Sequence, residues 1–401
     1  MASHRRPGAA DGWTPARGGT QGRHDHLGGR ERGARRGRGG AHRASRGGRR
    51  RGARASRCPL GRGGGGHRRA RAEPAGDRGG AAAALRRAAG AVPGSQGVLV
   101  YRTAAAHAVG QAAAARTVTG WDADTFREQS ARAWEGVADG WARQQHELAR
   151  ITAPVSHWLV SALNPQPGQQ VLELAAGTGE TGFLVAELLL PGGKLICSDV
   201  SDAMLDHARR RAQELGLANV EFKQLNAEWI DLPLASMDAV LCRWGLMLLA
   251  DPDAALRECR RVLRPGGRLG LAAWDDPEAN PWASVPATTM VELGHADPPP
   301  RGRPGMFALA DPGRLDDLLE GAGFTEPRVE AIELEFAAPS FEAFWSLGAD
   351  LAPGRASMLA ELDEEARVEL RAEVQRRLSR FIAPGGEIAI PARTLVAVAQ
   401  A

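Results

Sequence analysis

Several residue types and patterns are scarce in this sequence of 401 residues. No run of about 18 apolar residues occurs, so a membrane-spanning helix is not expected. The four cysteines form no Cys-x-x-Cys pair, which disfavours a disulfide framework and a structural zinc site and favours a reducing compartment. No apolar segment follows Arg5 and Arg6 as it would in a secretory signal peptide. We therefore expect a cytoplasmic protein without a metal ion.

Charge is distributed unevenly along the chain. Residues 1–120 contain 25 arginines, no lysine and five acidic residues, a net charge of +20. The remaining 281 residues contain 26 basic and 42 acidic residues, a net charge of −16. The first part has too few apolar side chains to offset its chain entropy. We predict a disordered Arg/Gly/Ala-rich leader over 1–118 and one folded domain over 119–401.

Five Arg-Gly-Gly triplets in the leader suggest one function, binding of RNA through phosphate neutralisation. Trp13 is the only aromatic residue before Tyr101, so the leader has little with which to stack on bases. Unselected translation of GC-rich DNA gives the same composition, in which case the leader is not a functional part of the protein. An organelle transit peptide is a third interpretation, although the leader is poor in serine.

Beyond residue 120, helical and strand patterns alternate. Apolar spacing predicts helices over about 126–141 and 151–163. Strands are then predicted at 170–174, 194–198, 220–224, 239–242 and 268–274, with helices at 181–190, 202–215 and 254–263 between them. Repeated strand–helix–strand units of this length predict a parallel sheet with helices on both faces.

The last third of the chain is less regular. The proline-rich segment 276–310 is predicted to be a lid over one end of the sheet, and 339–385 an accessory segment. Helices are predicted at 311–321, 341–347 and 359–381, and strands at 328–336 and 387–399. Pro391 within the final strand predicts an outer position, because proline removes one N–H from the ladder.

A glycine-rich loop, Ala175-Ala176-Gly177-Thr178-Gly179, follows the first strand of this pattern and precedes a helix. Glycines there allow a sharp turn and a close approach by a ligand. Asp199 ends the next strand, where a carboxylate can accept hydrogen bonds from ribose hydroxyls. The arrangement predicts an adenosine-bearing ligand.

Two enzyme classes use such a ligand. The glycines also match the dinucleotide fingerprint, so an NAD-linked oxidoreductase is the alternative. Glu173, however, stands where a pyrophosphate would be seated, and a carboxylate suits an ammonium and a sulfonium better. No tyrosine follows Gly120, so a Tyr-x-x-x-Lys pair for hydride transfer cannot form. Both facts favour S-adenosylmethionine.

Separate motifs in the stretch 171–275 carry a resemblance to a known family. They are Val171–Gly179, Asp199–Leu205, Asn226-Ala227-Glu228, and Asp251-Pro252 through Gly267. This stretch resembles the class I S-adenosylmethionine-dependent methyltransferases, in the group that includes the ubiquinone/menaquinone C-methyltransferases. The resemblance implies a Rossmann-like α/β sheet of order 3-2-1-4-5-7-6 with an antiparallel last strand, an N-terminal helical cap, and methylation of a small molecule.

The resemblance also implies which residues hold the cofactor. Asp199 would take the ribose, Met204 would pack on the adenine, Asn226 and Ala227 would bind its edge, and Glu173 and the Cys242 carbonyl would hold the ammonium. The full predicted set is Trp141, Glu173, Ala175, Gly177, Thr178, Gly179, Asp199, Val200, Met204, Asn226, Ala227 and Cys242. Many family members have glycine at the position of Ala175 and aspartate at that of Asn226.

The catalytic group is harder to predict, because a sulfonium carries its own leaving group and the protein mainly aligns donor and acceptor. Arg243, Asp275 and His157 are the candidates. Cys242-Arg243-Trp244-Gly245 stands where base-methylating enzymes usually carry an Asn/Asp-Pro-Pro-aromatic motif, and the negative folded part repels phosphate chains. Tryptophans and phenylalanines near the lid favour a small, partly apolar acceptor.

Overall fold

The structure is a computed structural model that describes residues 98–100, 121–300, 302–353 and 355–401. Apart from a three-residue strand at Val98–Val100, the predicted leader lies outside the described residues. Within those ranges no helix is both long enough and apolar enough to cross a bilayer. The same ranges contain no group of histidine, cysteine, aspartate and glutamate residues placed to hold a metal ion.

Seven strands form the main sheet, in the order 3-2-1-4-5-7-6. They are β1 (Gln170–Leu174), β2 (Lys194–Asp199), β3 (Val220–Gln224), β4 (Met237–Arg243), β5 (Leu263–Trp274), β6 (Thr325–Ala338) and β7 (Ile388–Gln400). Strands β1 to β5 pair in parallel, and β7 runs antiparallel to both β5 and β6. Val98–Val100 adds an eighth strand, antiparallel to β6 at the edge of the sheet. The predicted Rossmann-like fold is confirmed.

The outer position predicted for the final strand is wrong, because β7 lies between β5 and β6. Trp274 at the end of β5 pairs with Thr394, and β7 extends beyond that point. Pro391 therefore pairs with Glu335 of β6 in a part of β7 that β5 does not reach. A proline is tolerated there, since one side of the strand has no neighbour to bond.

Helices precede, connect and follow the strands. They are α1 (Ala123–Leu163), α2 (Glu180–Leu188), α3 (Asp202–Leu215), α4 (Pro252–Val262), α5 (Pro281–Glu292), α6 (Pro312–Gly321), α7 (Phe341–Leu351), α8 (Arg355–Glu361) and α9 (Glu364–Arg377). The single helix predicted over 359–381 is divided into α8 and α9. Asp363 causes the division, since its side chain accepts the Ala366 N–H and so caps α9.

The two helices predicted before β1 are one continuous helix, α1, of 41 residues. Pro154 lies inside it and removes one backbone donor. The helix nevertheless continues, because Ile151, Val155 and Leu159 on its inner face are fully or almost fully buried in the core. Burial of this face outweighs the single lost hydrogen bond.

The carboxyl ends of β1 to β6 lie at one edge of the sheet, since β5 and β6 are both antiparallel to β7. The segments predicted as lid and accessory regions follow β5 and β6 at this edge. The first contains α5, and the second contains α7, α8 and α9. Their function as a lid stays a prediction.

Candidate cofactor-binding site

The loop after β1 turns sharply at the carboxyl edge of the sheet. Ala175, Gly177 and Gly179 have φ angles of 50°, 55° and 78°, in the left-handed region. Glycine adopts this region freely, whereas alanine is strained in it. The Ala176 N–H donates to the carbonyl of Ser198 at 2.9 Å, which ties the loop to the end of β2. Thr178, within the same turn, is buried.

Asp199, the last residue of β2, lies beside this loop. Its Oδ2 accepts the Gly177 N–H at 2.8 Å, and its Oδ1 accepts the Ser201 N–H at 2.9 Å. Each carboxylate oxygen keeps a second lone pair for a further donor. Burial raises the pKa of Asp199, although the hydrogen bonds from Ser201 and Gly177 oppose the rise. The carboxylate predicted to bind the ribose thus faces the glycine loop.

Glu173 is almost completely buried beneath the same loop. Its Oε1 accepts the Gly182 N–H in α2 at 2.8 Å, and its Oε2 is buried with no hydrogen-bond partner. Burial raises the pKa of Glu173 to about 8, against the lowering influence of Arg243 and of the Gly182 hydrogen bond. The Glu173 side chain therefore contacts the first turn of α2. Its interaction with the ammonium group of the cofactor stays a prediction.

The start of α3 follows Asp199 directly. Val200 is half-buried, the Ser201 hydroxyl caps the helix by accepting the Met204 N–H at 3.1 Å, and Met204 is buried. Glu135 of α1 accepts the Ser201 hydroxyl at 2.5 Å and the Ala203 N–H at 3.2 Å. The N-terminal half of α1 is thereby fixed to the end of β2. Sequence reasoning missed Glu135, because no spacing links two residues 66 positions apart.

The predicted adenine segment follows β3. Asn226 Oδ1 accepts the Glu228 N–H at 2.9 Å, and Ala227 is buried. Glu228 is also buried, and its carboxylate accepts hydrogen bonds from Arg127 of α1 and from the Ala250 N–H. Arg127 is a second contact of α1 that the sequence did not reveal. The segment is thus held in a fixed turn beside α1.

The contacts that the structure shows for Cys242 and Trp141 are with other parts of the protein. Cys242 pairs with Leu174 across β1 and β4, and burial raises the pKa of its thiol to about 11. The thiol therefore stays protonated at neutral pH. The Trp141 indole N–H donates to the carbonyl of Leu351 in α7 at 3.0 Å, so its polar atom serves contact between α1 and α7. The proposed cofactor contacts of both residues stay predictions.

The three catalytic candidates do not come together as one group. Arg243 donates to Glu180 at 3.0 and 3.1 Å, and Arg393 Nε donates to Asp275 at 2.5 Å. Both candidates are thus engaged in buried or half-buried ion pairs. His157 is exposed on α1. A catalytic role for any of them stays a prediction.

An aromatic cluster lies where β4 and β5 end. Trp244 stacks on Trp274 with ring centroids 4.4 Å apart and planes at 8°. Trp282 of α5 meets Trp274 edge-on at 5.1 Å and stacks on Phe336 of β6 at 3.8 Å. The Trp244 N–H donates to the Thr394 hydroxyl at 2.8 Å, so its polar atom is satisfied. The cluster forms a rigid apolar wall at the same edge of the sheet as the glycine loop.

The residues present fit an adenosine-bearing cofactor. A Cβ atom on Gly177 would meet no atom within 4 Å, so the loop faces open space at that residue. The Asp199 carboxylate is hydrogen-bonded to that residue and has acceptor capacity left. An open backbone turn beside a buried carboxylate is what a ribose and its substituent require.

Comparisons with known proteins agree with this geometry. Residues 171–267 match the family described as "Methyltransferase domain". This stretch of the chain is a class I S-adenosylmethionine-dependent methyltransferase domain. Its cofactor is therefore S-adenosylmethionine, and its activity is methyl transfer.

Among its relatives is nocamycin O-methyltransferase of Saccharothrix syringae, 29% identical over 58% of this chain and 85% of that protein. The ubiquinone/menaquinone biosynthesis C-methyltransferase of Pasteurella multocida is 38% identical over 29% of this chain, which spans only 44% of that methyltransferase. The solved phosphoethanolamine N-methyltransferase 2 of Haemonchus contortus, with S-adenosylhomocysteine, is 17% identical over 69% of this chain and 60% of that one, with a TM-score of 0.44.

Proposed function

We propose that this methyltransferase acts on a small, partly apolar acceptor that binds against the Trp244–Trp274 wall. The observation that supports the proposal is the Asp199 carboxylate, which accepts the Gly177 N–H at the same carboxyl edge of the sheet as that wall. In this proposal the cofactor binds at that carboxylate, beside the wall. The names of two relatives, an O-methyltransferase and a C-methyltransferase of small molecules, support an acceptor of this size with a reactive oxygen or carbon.

In this proposal the cofactor is held by the loop and its neighbours. Asp199 accepts the ribose hydroxyls, Gly177 leaves room for the amino-acid part, and the Asn226–Ala227 turn meets the adenine edge. The predicted role of Gly179 differs, since the Phe183 ring fills the space beside it and only a glycine fits there. Buried carboxylates and fixed backbone donors are suited to this, because they need no rearrangement when the ligand enters. Residues 119–401 form one domain, and the cytoplasm is its expected location.

When bound, S-adenosylmethionine supplies a methyl group on a positively charged sulfur. The chain then has to align the acceptor with that methyl group, and alignment of this kind lowers a barrier by roughly 7–11 kcal/mol. The stacked indoles restrict where a flat or apolar acceptor can lie, and they exclude water from the reacting atoms. A dedicated base is needed only for an acceptor that must lose a proton.

Calorimetry with S-adenosylhomocysteine tests the cofactor site. The wild type should bind it and should not bind NAD. Asp199→Asn should weaken binding by roughly 10- to 150-fold, because one charge-assisted hydrogen bond worth about 1.5–3 kcal/mol is lost. Asp206→Asn is the matched control, because Asp206 is an exposed carboxylate on α3. It should leave the affinity for S-adenosylhomocysteine unchanged. Binding of NAD alone would contradict the proposal.

A labelled-methyl assay tests the acceptor. Extract from a strain that lacks the protein is incubated with the purified enzyme and methyl-labelled S-adenosylmethionine, then separated into nucleic acid, protein and small-molecule fractions. We expect the label in the small-molecule fraction. Label confined to nucleic acid or protein would overturn the proposed acceptor class while leaving the cofactor site intact.

A further inference from the structure

A buried ion pair joins the start of α2 to the end of β4. Glu180 directly follows Gly179 of the glycine loop, and Arg243 is the last residue of β4. Nη1 and Nη2 of Arg243 donate to Oε1 and Oε2 of Glu180 at 3.1 and 3.0 Å. Both side chains are only 10% exposed. A two-pronged pair shielded from water fixes the relative position of the two elements that carry it.

Helix α1 adds hydroxyl groups that hydrogen-bond to both members of this ion pair. The Thr152 hydroxyl accepts from Arg243 Nη1 at 2.7 Å and lies 2.8 Å from Glu180 Oε1, and Ser156 bonds the Thr181 hydroxyl at 2.9 Å. Burial would raise the pKa of Glu180, but the charge and hydrogen bonds of Arg243 outweigh it, and the pKa lies below its usual value. Glu180 is therefore ionised, and the pair is a true ion pair.

The same guanidinium also contacts the aromatic wall. The Arg243 guanidinium carbon lies 4.8 Å from the ring centroid of Trp244. Trp244 has a φ of 60°, a conformation that a bulky side chain adopts only when its surroundings enforce it. Its stacking on Trp274 and its hydrogen bond to Thr394 supply part of that enforcement. Arg243 thus touches both the helix that begins at the glycine loop and the indole that begins the wall.

We propose that Arg243 is a positioning residue that couples the glycine loop to the Trp244–Trp274 wall. The inference rests on the proposed binding of the cofactor at this loop. A ligand at the loop contacts the first turn of α2, and the Glu180–Arg243 pair transmits a shift of that turn to Trp244. The ion pair thereby helps to set the distance between the methyl donor and the acceptor. Loss of the ion pair should impair methyl transfer far more than cofactor binding.

The coupling can be measured without knowledge of the acceptor. The full chain is labelled with 5-fluorotryptophan, and Trp244→Phe assigns one of its ten tryptophan ¹⁹F resonances. We expect S-adenosylhomocysteine to shift the Trp244 resonance in the wild type. In Arg243→Met the ligand should still bind within about threefold of wild-type affinity, but the resonance should no longer respond, because the connecting group is gone.

Three further variants keep the result interpretable. Glu180→Gln keeps Arg243 but removes the charge that holds it, and should reduce the response in the same way. Arg243→Lys keeps the charge without the two-pronged geometry and should restore it only in part. Arg264→Met breaks the ion pair with Asp238 at the opposite edge of the sheet and should leave the response intact.

Activity gives an independent readout. Methyl transfer to the small-molecule extract at saturating cofactor should fall roughly 10- to 100-fold in Arg243→Met, since misplacement by about 1 Å costs that much. Adding Glu180→Gln should cause little further loss, because the two side chains act as one unit. An equal Trp244 shift in wild type and Arg243→Met, or no shift in a wild type that binds the ligand, overturns the coupling alone. Failure of the wild type to bind S-adenosylhomocysteine overturns the proposed cofactor site as well.

Discussion

The carboxylate of Glu173 occupies the space beside Gly182 where any other residue would place its Cβ atom. The Gly182 N–H donates to Glu173 Oε1, and Oε2 lies where it would clash with a Cβ atom at position 182. Position 182 therefore requires glycine because of its contact with the Glu173 carboxylate inside the protein. Gly182 is the third glycine of the pattern Gly177-x-Gly179-x-x-Gly182, which matches a dinucleotide fingerprint. It is thus explained without a pyrophosphate, whereas Gly177 faces open space.

Gly182→Ala should lower the free energy of unfolding by about 1–3 kcal/mol, the usual cost of overpacking a buried site. In a Glu173→Ala background the same change should become neutral or stabilising, because alanine favours a helix over glycine by about 1 kcal/mol. Urea unfolding of the four proteins measures this cycle. Gly136→Ala in α1 has no atom within 4 Å of the new Cβ and serves as the control, with an expected gain. Equal costs in both backgrounds would contradict the contact.

The raised pKa of Glu173 makes stability depend on pH. The carboxyl has a pKa of about 8 when folded and an ordinary value of 4.5, so the folded state retains its proton while the unfolded state loses it. Its favourable contribution is full below about pH 4.5 and is lost as the pH rises towards 8. From pH 6 to pH 9 the wild type should lose about 2–3 kcal/mol relative to Glu173→Gln, which cannot ionise.

Chemical unfolding at both pH values measures this difference. Glu214→Gln removes an exposed carboxyl on α3 and should follow the wild type at both pH values. Parallel pH profiles for the wild type and Glu173→Gln would show that Glu173 ionises normally inside the protein.

Much of the sheet was predictable because local signals and packing agree. The strands β1 and β2 are short apolar runs, and the turns around them contain glycine and proline. Helix α1 was predicted as two helices, over about 126–141 and 151–163, because the stretch between them is mostly polar. Leu148 in that stretch is nevertheless buried, so tertiary packing continues the helix where the local apolar pattern lapses.

Some contacts of the candidate site could likewise be predicted from the sequence, and others could not. Asp199 and the glycine loop follow consecutive elements, so their proximity could be predicted from strand order alone. The pair of Arg243 with Glu180 joins residues 63 positions apart, and that of Asp275 with Arg393 joins residues 118 positions apart. Only the three-dimensional structure shows that these candidate catalytic groups already have charged partners.

The predicted domain boundary gives a further test. A chain shortened to begin at residue 119 should bind S-adenosylhomocysteine within about twofold of the full chain, because every residue assigned to the cofactor lies beyond it. A chain that begins at Gly97 retains the edge strand Val98–Val100, which pairs with Glu330–Ile332 of β6. Comparing the two by urea unfolding isolates that strand, which should contribute at most about 1 kcal/mol at an edge. Loss of ligand binding in the shorter chain would place part of the site in the leader.

Ala175 offers the last prediction, because it occupies a left-handed conformation with a φ of 50° at the first position of the loop. An alanine is strained there by about 1–2 kcal/mol, and a glycine is not. Ala175→Gly should therefore raise the free energy of unfolding by up to about 1 kcal/mol, the relief of strain being partly offset by the greater freedom of glycine in the unfolded chain. Ala176→Gly is the matched control. Ala176 is buried and does not share the positive φ, so the same exchange one residue later should destabilise the protein. Thermal or urea unfolding distinguishes the two directions, and a loss of stability in both variants would mean that Ala175 is not strained.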